Sequence, residues 1–147
     1  MKVIYFSREN KLGIDKLGAS KQELDKVLSQ SDFVSLNLVL NKETEKIISK
    51  DKIDLLKKDC VFINLAPPKL IDQEVMMQKA ASGDITFIFD HSDDIDTALA
   101  KRFLTTKGCI VYPPVAFRTE EANTARWETF VSNIEQFTKG LPQNKVN

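Results

Sequence analysis

Short apolar runs that alternate with segments of helical period constrain this chain more than anything else in it. Lys2 to Ser7, Phe33 to Leu38, Cys60 to Ala66, Ile85 to Asp90 and Cys109 to Tyr112 read as strands. The run Cys60 to Ala66 is almost continuously apolar, as expected of a strand covered on both faces. Strands that alternate with helices in this way specify an α/β protein with a parallel sheet.

The intervening segments carry helix signals. Ser20 with Glu23 three residues on predicts a capping box, opening a helix that places Leu24, Val27 and Leu28 on one face and ends near Ser31. A helical stretch follows Leu38, with Ile47, Ile48, Ile53 and Leu56 as its buried set. Asp72 caps a helix through Val75, Met76 and Ala80 that stops at Gly83. Ala98 to Leu104 is a short helix. Thr119 opens a long one, with Trp127, Phe130, Val131, Ile134 and Phe137 in a stripe and with Gly140 and Pro142 ending it. No repeat, low-complexity tract or linker interrupts the pattern, so residues 1–147 are expected to form one domain.

Composition removes several classes of function. Twenty-one basic residues balance 21 acidic ones, which leaves no electrostatic footprint for nucleic acid or an anionic membrane. No apolar run approaches the roughly 20 residues of a membrane-spanning helix. The segment Met1 to Arg8 is too soon interrupted for a secretory signal. Cys60 and Cys109 each precede an apolar run and read as reduced strand residues of a cytoplasmic chain. Neither cysteine nor histidine has the spacing of a zinc site.

Three stretches point to a family: Ser31-Asp32-Phe33-Val34-Ser35-Leu36-Asn37-Leu38, Val61-Phe62-Ile63-Asn64-Leu65-Ala66 and the closing Gly140-Leu141-Pro142-Gln143-Asn144-Lys145-Val146-Asn147. Together and in this order they resemble the D-isomer-specific 2-hydroxyacid dehydrogenases. The resemblance implies an NAD(P)-binding domain with a Rossmann-type, doubly wound parallel sheet. Such a domain opens with a strand and a G-x-G-x-x-G loop, whose glycines let the backbone approach the pyrophosphate. Gly13, Gly18, Gly83, Gly108 and Gly140 do not form that motif. By the resemblance, Lys2 to Ser7 matches the family's second strand, and the first strand and glycine-rich loop are lacking. The absent strand would stand between Lys2–Ser7 and Phe33–Leu38, leaving two edges whose backbone groups must pair somehow. Three resolutions are open: a fragment or truncated reading frame, direct closure of the two edges, or pairing supplied by a second copy.

Ligands of open parallel sheets sit outside the carboxyl ends of the strands. There the resemblance implies a cofactor set of Ser7, Arg8, Asn41, Thr44, Leu65, Ala66 and Asp90. NAD-preferring relatives commonly carry an acid at the position of Ser7. Its absence removes a charge that would repel a 2′-phosphate, and Arg8 offers a fork-shaped donor, so NADP(H) is favoured over NAD(H). The alternative is a solvated arginine at a strand end. Asn41 and Thr44 match a T-x-x-T segment; Asn41 can equally serve as a helix cap.

The family's chemistry uses an arginine to clamp the substrate carboxylate and a histidine, held by a glutamate, to move the hydroxyl proton. The resemblance puts Pro67 at the arginine, within Asn64-Leu65-Ala66-Pro67-Pro68-Lys69-Leu70-Ile71-Asp72, and Pro114 at the histidine, within Tyr112-Pro113-Pro114. Asp93 falls near the glutamate position and keeps a carboxylate. The single histidine, His91, directly follows Asp90. With Asp93, Asp94 and Asp96 it reads as a solvated turn and helix start rather than a metal cluster. Three functional readings follow: a divergent NAD(P)-binding domain with dehydrogenation impaired or lost; a non-catalytic cofactor-sensing or oligomerisation scaffold, with a homodimer as its expected form; and a rebuilt site around Tyr112, Arg118 and Asp93.

Overall fold

The computed structural model describes residues 1–90, 95–113, 115 and 118–146. The chain divides into two compact units, Met1–Pro113 and Pro114–Asn147, and each is described by itself.

In the first unit the strands are β1 (Ile4–Tyr5), β2 (Ser20–Lys21), β3 (Phe33–Leu36), β4 (Cys60–Asn64), β5 (Ile85–Phe89) and β6 (Cys109–Val111). The helices are α1 (Leu12–Asp15), α2 (Leu24–Gln30), α3 (Lys50–Asp54), α4 (Gln73–Ala81) and α5 (Thr97–Thr105), with a 3-10 turn at Pro68–Leu70. Strands β3, β4, β5 and β6 lie side by side in that order, all parallel, with Phe62 opposite Phe87 and Asn64 opposite Phe89. Parallel neighbours need crossovers. The helices supply them: α4 packs on β5 and β6, α5 on β6, and α3 against α4. The α/β architecture expected from the alternation is present. β1 pairs in parallel with β2 as a separate two-stranded sheet. Among the described residues β1 and β3 do not pair with each other, so direct closure of those two edges is not the arrangement adopted.

Cys60, Phe62 and Asn64 of β4, with Ile85, Phe87 and Phe89 of β5, are fully buried, and the residues between them are half-buried. The helices thus cover one face completely and the other in part, whereas the near-continuous apolar run of β4 predicted a strand covered on both faces. On β3 only Val34 and Leu36 are buried, and Phe33 and Ser35 face outward. Two further expectations change. Ser20 does not cap a helix; Ser20–Lys21 is drawn into pairing with Ile4–Tyr5, and α2 begins at Leu24 with no side-chain cap bond. The segment from Ile47 to Leu56 is not one helix. Ile48 bridges Ile71 in the manner of a parallel strand, and α3 starts only after Ser49. Ile48, Ile53 and Leu56 are nonetheless buried.

Local signals set the remaining ends as predicted. The Asp72 side chain accepts the Val75 N–H at the start of α4, and the chain leaves the α4 region through Gly83 at φ +81°. The second unit holds α6 (Glu120–Thr138), whose cap Thr119 accepts the Ala122 N–H. At its other end Gly140, at φ +75°, donates to the Phe137 carbonyl, and Leu141 donates to that of Gln136. These two bonds close a Schellman motif.

Both cysteines are free thiols. Burial pushes the Cys109 thiol up to about 11 and raises that of Cys60 as well, with Asp32 adding to the rise. A thiol whose folded pKa lies above its unfolded value favours the fold fully below the ordinary thiol range, and that contribution is lost as pH rises toward about 11. At pH 8 the folded chain therefore carries very little Cys109 thiolate. Alkylation of Cys109 by iodoacetamide should run about 100-fold slower in the folded chain than in urea. Equal rates in the two states would contradict this burial.

Candidate functional site

Leu65–Pro67 leaves β4 at its carboxyl end, beside Asn37–Leu40 leaving β3, and the two segments line an open groove of about 460 Å³. The Leu65 N–H still reaches the Leu36 carbonyl at 3.2 Å, which holds the two segments together. Asn64 is wholly buried as the last residue of β4. Its Oδ1 accepts the Ala66 N–H at 3.0 Å, bending the chain at Leu65, while its Nδ2 has no partner among the described residues. A buried amide donor without a partner is rare in folded proteins. Pro67, half-buried at φ −52°, then leads into the 3-10 turn. Among the described residues, no side chain lining the groove is ionisable.

Asn41 and Thr44 form the next turn. The Asn41 Oδ1 accepts the N–H groups of Glu43 at 2.8 Å and Thr44 at 3.0 Å. In return the Thr44 Oγ1 accepts the Asn41 N–H at 2.8 Å and donates to the Val39 carbonyl at 2.7 Å. This reciprocal cap fixes the chain just past the groove residues Val39 and Leu40. It caps a turn, not the helix expected after Leu38.

Past β1, the Ser7 hydroxyl donates to the Glu9 carbonyl, and the Arg8 carbonyl accepts from the Lys21 Nζ at 2.9 Å. The Tyr5 hydroxyl donates to Asp15 at 2.7 Å and accepts the Lys11 N–H at 2.8 Å, which secures the loop that follows. The Arg8 guanidinium is exposed and has no hydrogen-bond or ion-pair partner among the described residues.

Residues 1–116 match the family profile described as the NAD binding domain of the D-isomer specific 2-hydroxyacid dehydrogenases. The chain belongs to this family. It is 29% identical to a hydroxypyruvate reductase of Blautia hydrogenotrophica and 28% identical to a glyoxylate reductase of Thermococcus kodakarensis, over 100% of its own length but only 46% and 45% of theirs. The chain thus spans under half the length of these relatives. Among solved structures it is similar in fold to the apo D-lactate dehydrogenase of Escherichia coli, with a TM-score of 0.83 at 22% identity, covering 95% of this chain and 45% of that one. Similarity to the D-lactate dehydrogenase of Lactobacillus jensenii with NAD+ gives a TM-score of 0.85 at 22% identity, over 99% and 48%.

Within this 2-hydroxyacid dehydrogenase domain the groove gathers Leu65, Ala66 and Pro67, with Asn41 and Thr44 just beyond its rim and Ser7 and Arg8 at the end of a different strand. Asp90 directly follows β5 and is half-buried. His91, Asp93, Asp94 and Pro114 lie outside the described residues. Asp96 accepts the Leu99 N–H at 2.8 Å and so caps α5. Tyr112 is exposed and extends the ladder by donating its N–H to the Phe89 carbonyl, while Arg118 belongs to the second unit. Asn64 is the residue that the sequence reading passed over. Its signal was a single amide inside the apolar run Val61-Phe62-Ile63-Asn64-Leu65-Ala66.

Proposed function

We propose that this chain is a dinucleotide-binding domain that retains the cofactor side of a 2-hydroxyacid dehydrogenase and has lost the substrate side. One observation carries this reading: the groove at the carboxyl ends of β3 and β4 offers apolar walls and, among the described residues, no ionisable side chain. Such a groove fits the flat ring and ribose at one end of a dinucleotide. Pro67, at the position of the family's arginine, has neither a guanidinium to clamp a carboxylate nor a backbone N–H. When bound, a nicotinamide cofactor supplies hydride-transfer chemistry. The chain's own residues orient it: Asn41 and Thr44 shape the rim, Leu65 and Ala66 form a wall, and Asp90 stands at the end of β5. Asp93 is the one acid–base candidate carried over from the family. The cytoplasm is the compartment proposed for the chain, one in which Cys60 and Cys109 would stay reduced.

Arg8 selects NADP(H) over NAD(H). Its exposed guanidinium next to Ser7, without a partner among the described residues, is available for a 2′-phosphate. Titration followed by nicotinamide emission should show saturable binding that favours NADPH, and Arg8→Ala should weaken NADPH about tenfold while leaving NADH nearly unchanged. Equal losses for both cofactors would remove Arg8 from the 2′-phosphate end. Glyoxylate, hydroxypyruvate and D-lactate should show no turnover with this chain alone, and efficient turnover of any of them would refute the loss of the substrate side.

A second reading is favoured by a different observation, the exposed apolar stripe of α6. It takes the domain as an oligomerisation or cofactor-sensing scaffold whose working form is a homodimer.

A further inference from the structure

The segment that walls the groove at β3 and β4 has few backbone donors with which to hold its place. Leu65, Ala66, Pro67 and Pro68 carry the chain out of β4 and into the 3-10 turn, and the two prolines have no N–H. Leu65 and Ala66 are left, and they are held differently. In a parallel ladder successive residues present their N–H groups to opposite neighbours. Val61 donates to the Asp32 carbonyl at 2.9 Å and Leu65 to that of Leu36 at 3.2 Å, so every second residue from Val61 faces β3. Ala66 belongs to the other set and faces the side of β5, which has already ended at Phe89, the residue opposite Asn64. At 4% exposure Ala66 cannot offer its N–H to water instead. The Asn64 side chain takes it, its Oδ1 accepting at 3.0 Å. The wall thus parts from β5 and stays with β3, where Leu65, Ala66 and Pro67 line the groove together with Leu38, Val39 and Leu40.

We infer that Asn64 is a positioning residue of the dinucleotide site: its carboxamide ends the β4 ladder on one side and so sets where Leu65, Ala66 and Pro67 stand against the cofactor. Wholly buried, it acts through Ala66 and not by contact with the ligand. The inference deepens the dinucleotide reading and rests on it. Asn64 shares the buried face of β4 with Cys60 and Phe62, where an apolar side chain would pack without the cost of burying an amide. An apolar side chain would supply no acceptor for the N–H two residues on, which is the bond an asparagine makes readily. With Arg8 taking the 2′-phosphate at the end of β1, the groove at β3 and β4 takes the nicotinamide end, and that is the end Asn64 governs.

Threonine and valine test this, because they share a shape and differ in one acceptor. A threonine hydroxyl can take the N–H two residues on as asparagine does, valine cannot, and both suit a buried strand. Asn64→Val should bind reduced nicotinamide mononucleotide about tenfold more weakly than the parent chain, and Asn64→Thr within about threefold of it. Both variants should bind adenosine 2′,5′-bisphosphate, a probe of the Arg8 end alone, as the parent does. With no ligand present, the Ala66 amide should exchange at least about tenfold faster in Asn64→Val than in Asn64→Thr, while the Phe62 amide in the middle of β4 exchanges alike in the two. Equal affinities of the two variants for the mononucleotide overturn the inference. So does a loss in Asn64→Val that extends to the bisphosphate, which marks a general loosening of the fold. An Ala66 amide that exchanges equally slowly in both variants also overturns it, since the Asn64 bond is then not what holds the wall. A parent chain that binds neither NADPH nor either fragment brings down the dinucleotide reading and this inference with it. A parent that binds NADPH, with both variants matching it, removes Asn64 alone.

Discussion

Replacing Phe87 with alanine should lower the unfolding free energy by about 3–5 kcal/mol, the range for truncating a buried aromatic residue that the core cannot close around. Phe87 is the centre of the first unit's core. Its ring lies 6.0 Å from Phe62 on the neighbouring strand, 6.2 Å from Phe89 on its own strand, and 5.8 Å from Phe103 on α5. All four rings are buried, and they come from three elements whose backbones are fixed by sheet pairing and crossover packing. Removing the central ring therefore leaves a cavity that cannot collapse without moving β4, β5 or α5. Aromatic pairs in offset or tilted contact add to the area term, and three such contacts are lost at once. Phe33 is the control, a phenylalanine of the same sheet that is 69% exposed on β3. Phe33→Ala should change stability by no more than about 1 kcal/mol. Urea titrations of the two variants and the parent decide the matter. A Phe87→Ala loss below about 1 kcal/mol would mean that the cluster is not the core it is taken to be.

The parts of this fold legible in the sequence are those fixed by nearby residues. Asp72 before Val75, Thr119 before Ala122, and Gly140 after Thr138 each act within a few residues of the helix end they define, and each forms the bond its type suggests. Strands β4 and β5 were legible because their apolar runs are short, rich in β-branched and aromatic residues, and preceded by turn residues such as Asp59 and Gly83. Ser20 and Glu23 carry an equally good local signal, yet the pairing of Ser20 with Ile4 overrides it, and nothing near Ser20 announces a partner 16 residues earlier. The same holds for Ile48, whose parallel bridge to Ile71 displaces the start of α3. The site divides in the same way. The ends of β3 and β4 could be placed from strand order alone, and Asn41 is legible as a capping residue, although it caps a turn and not the expected helix. The capping of Ala66 by Asn64 and the apolar character of the groove depend on which residues meet across two strands.

Gly108 shows how much one such meeting can cost. The residue sits at φ +82°, just before β6, and its carbonyl accepts the Phe87 N–H at 2.8 Å to begin the β5–β6 ladder. A β-carbon placed there would stand 2.5 Å from the Ala80 carbonyl oxygen and 3.1 Å from that of Ile85. Those are backbone atoms of the end of α4 and the start of β5, so neither can swing aside as a side chain would. Gly83 has nearly the same backbone angle, φ +81°, but a β-carbon there meets nothing within 4 Å. The pair separates backbone strain from steric conflict. Gly83→Ala should destabilise by about 1 kcal/mol, the cost of holding an L-residue in the left-handed region. Gly108→Ala should lose that and the packing conflict besides, about 3 kcal/mol in all. Because β6 leads directly to Tyr112 and Pro113, Gly108→Ala should also loosen the carboxyl end of the sheet, and amide exchange at Phe87 and Tyr112 should accelerate more than at Val61. Equal destabilisation by the two alanines would mean that the close approach at Ala80 relaxes freely, and that strain alone accounts for both glycines.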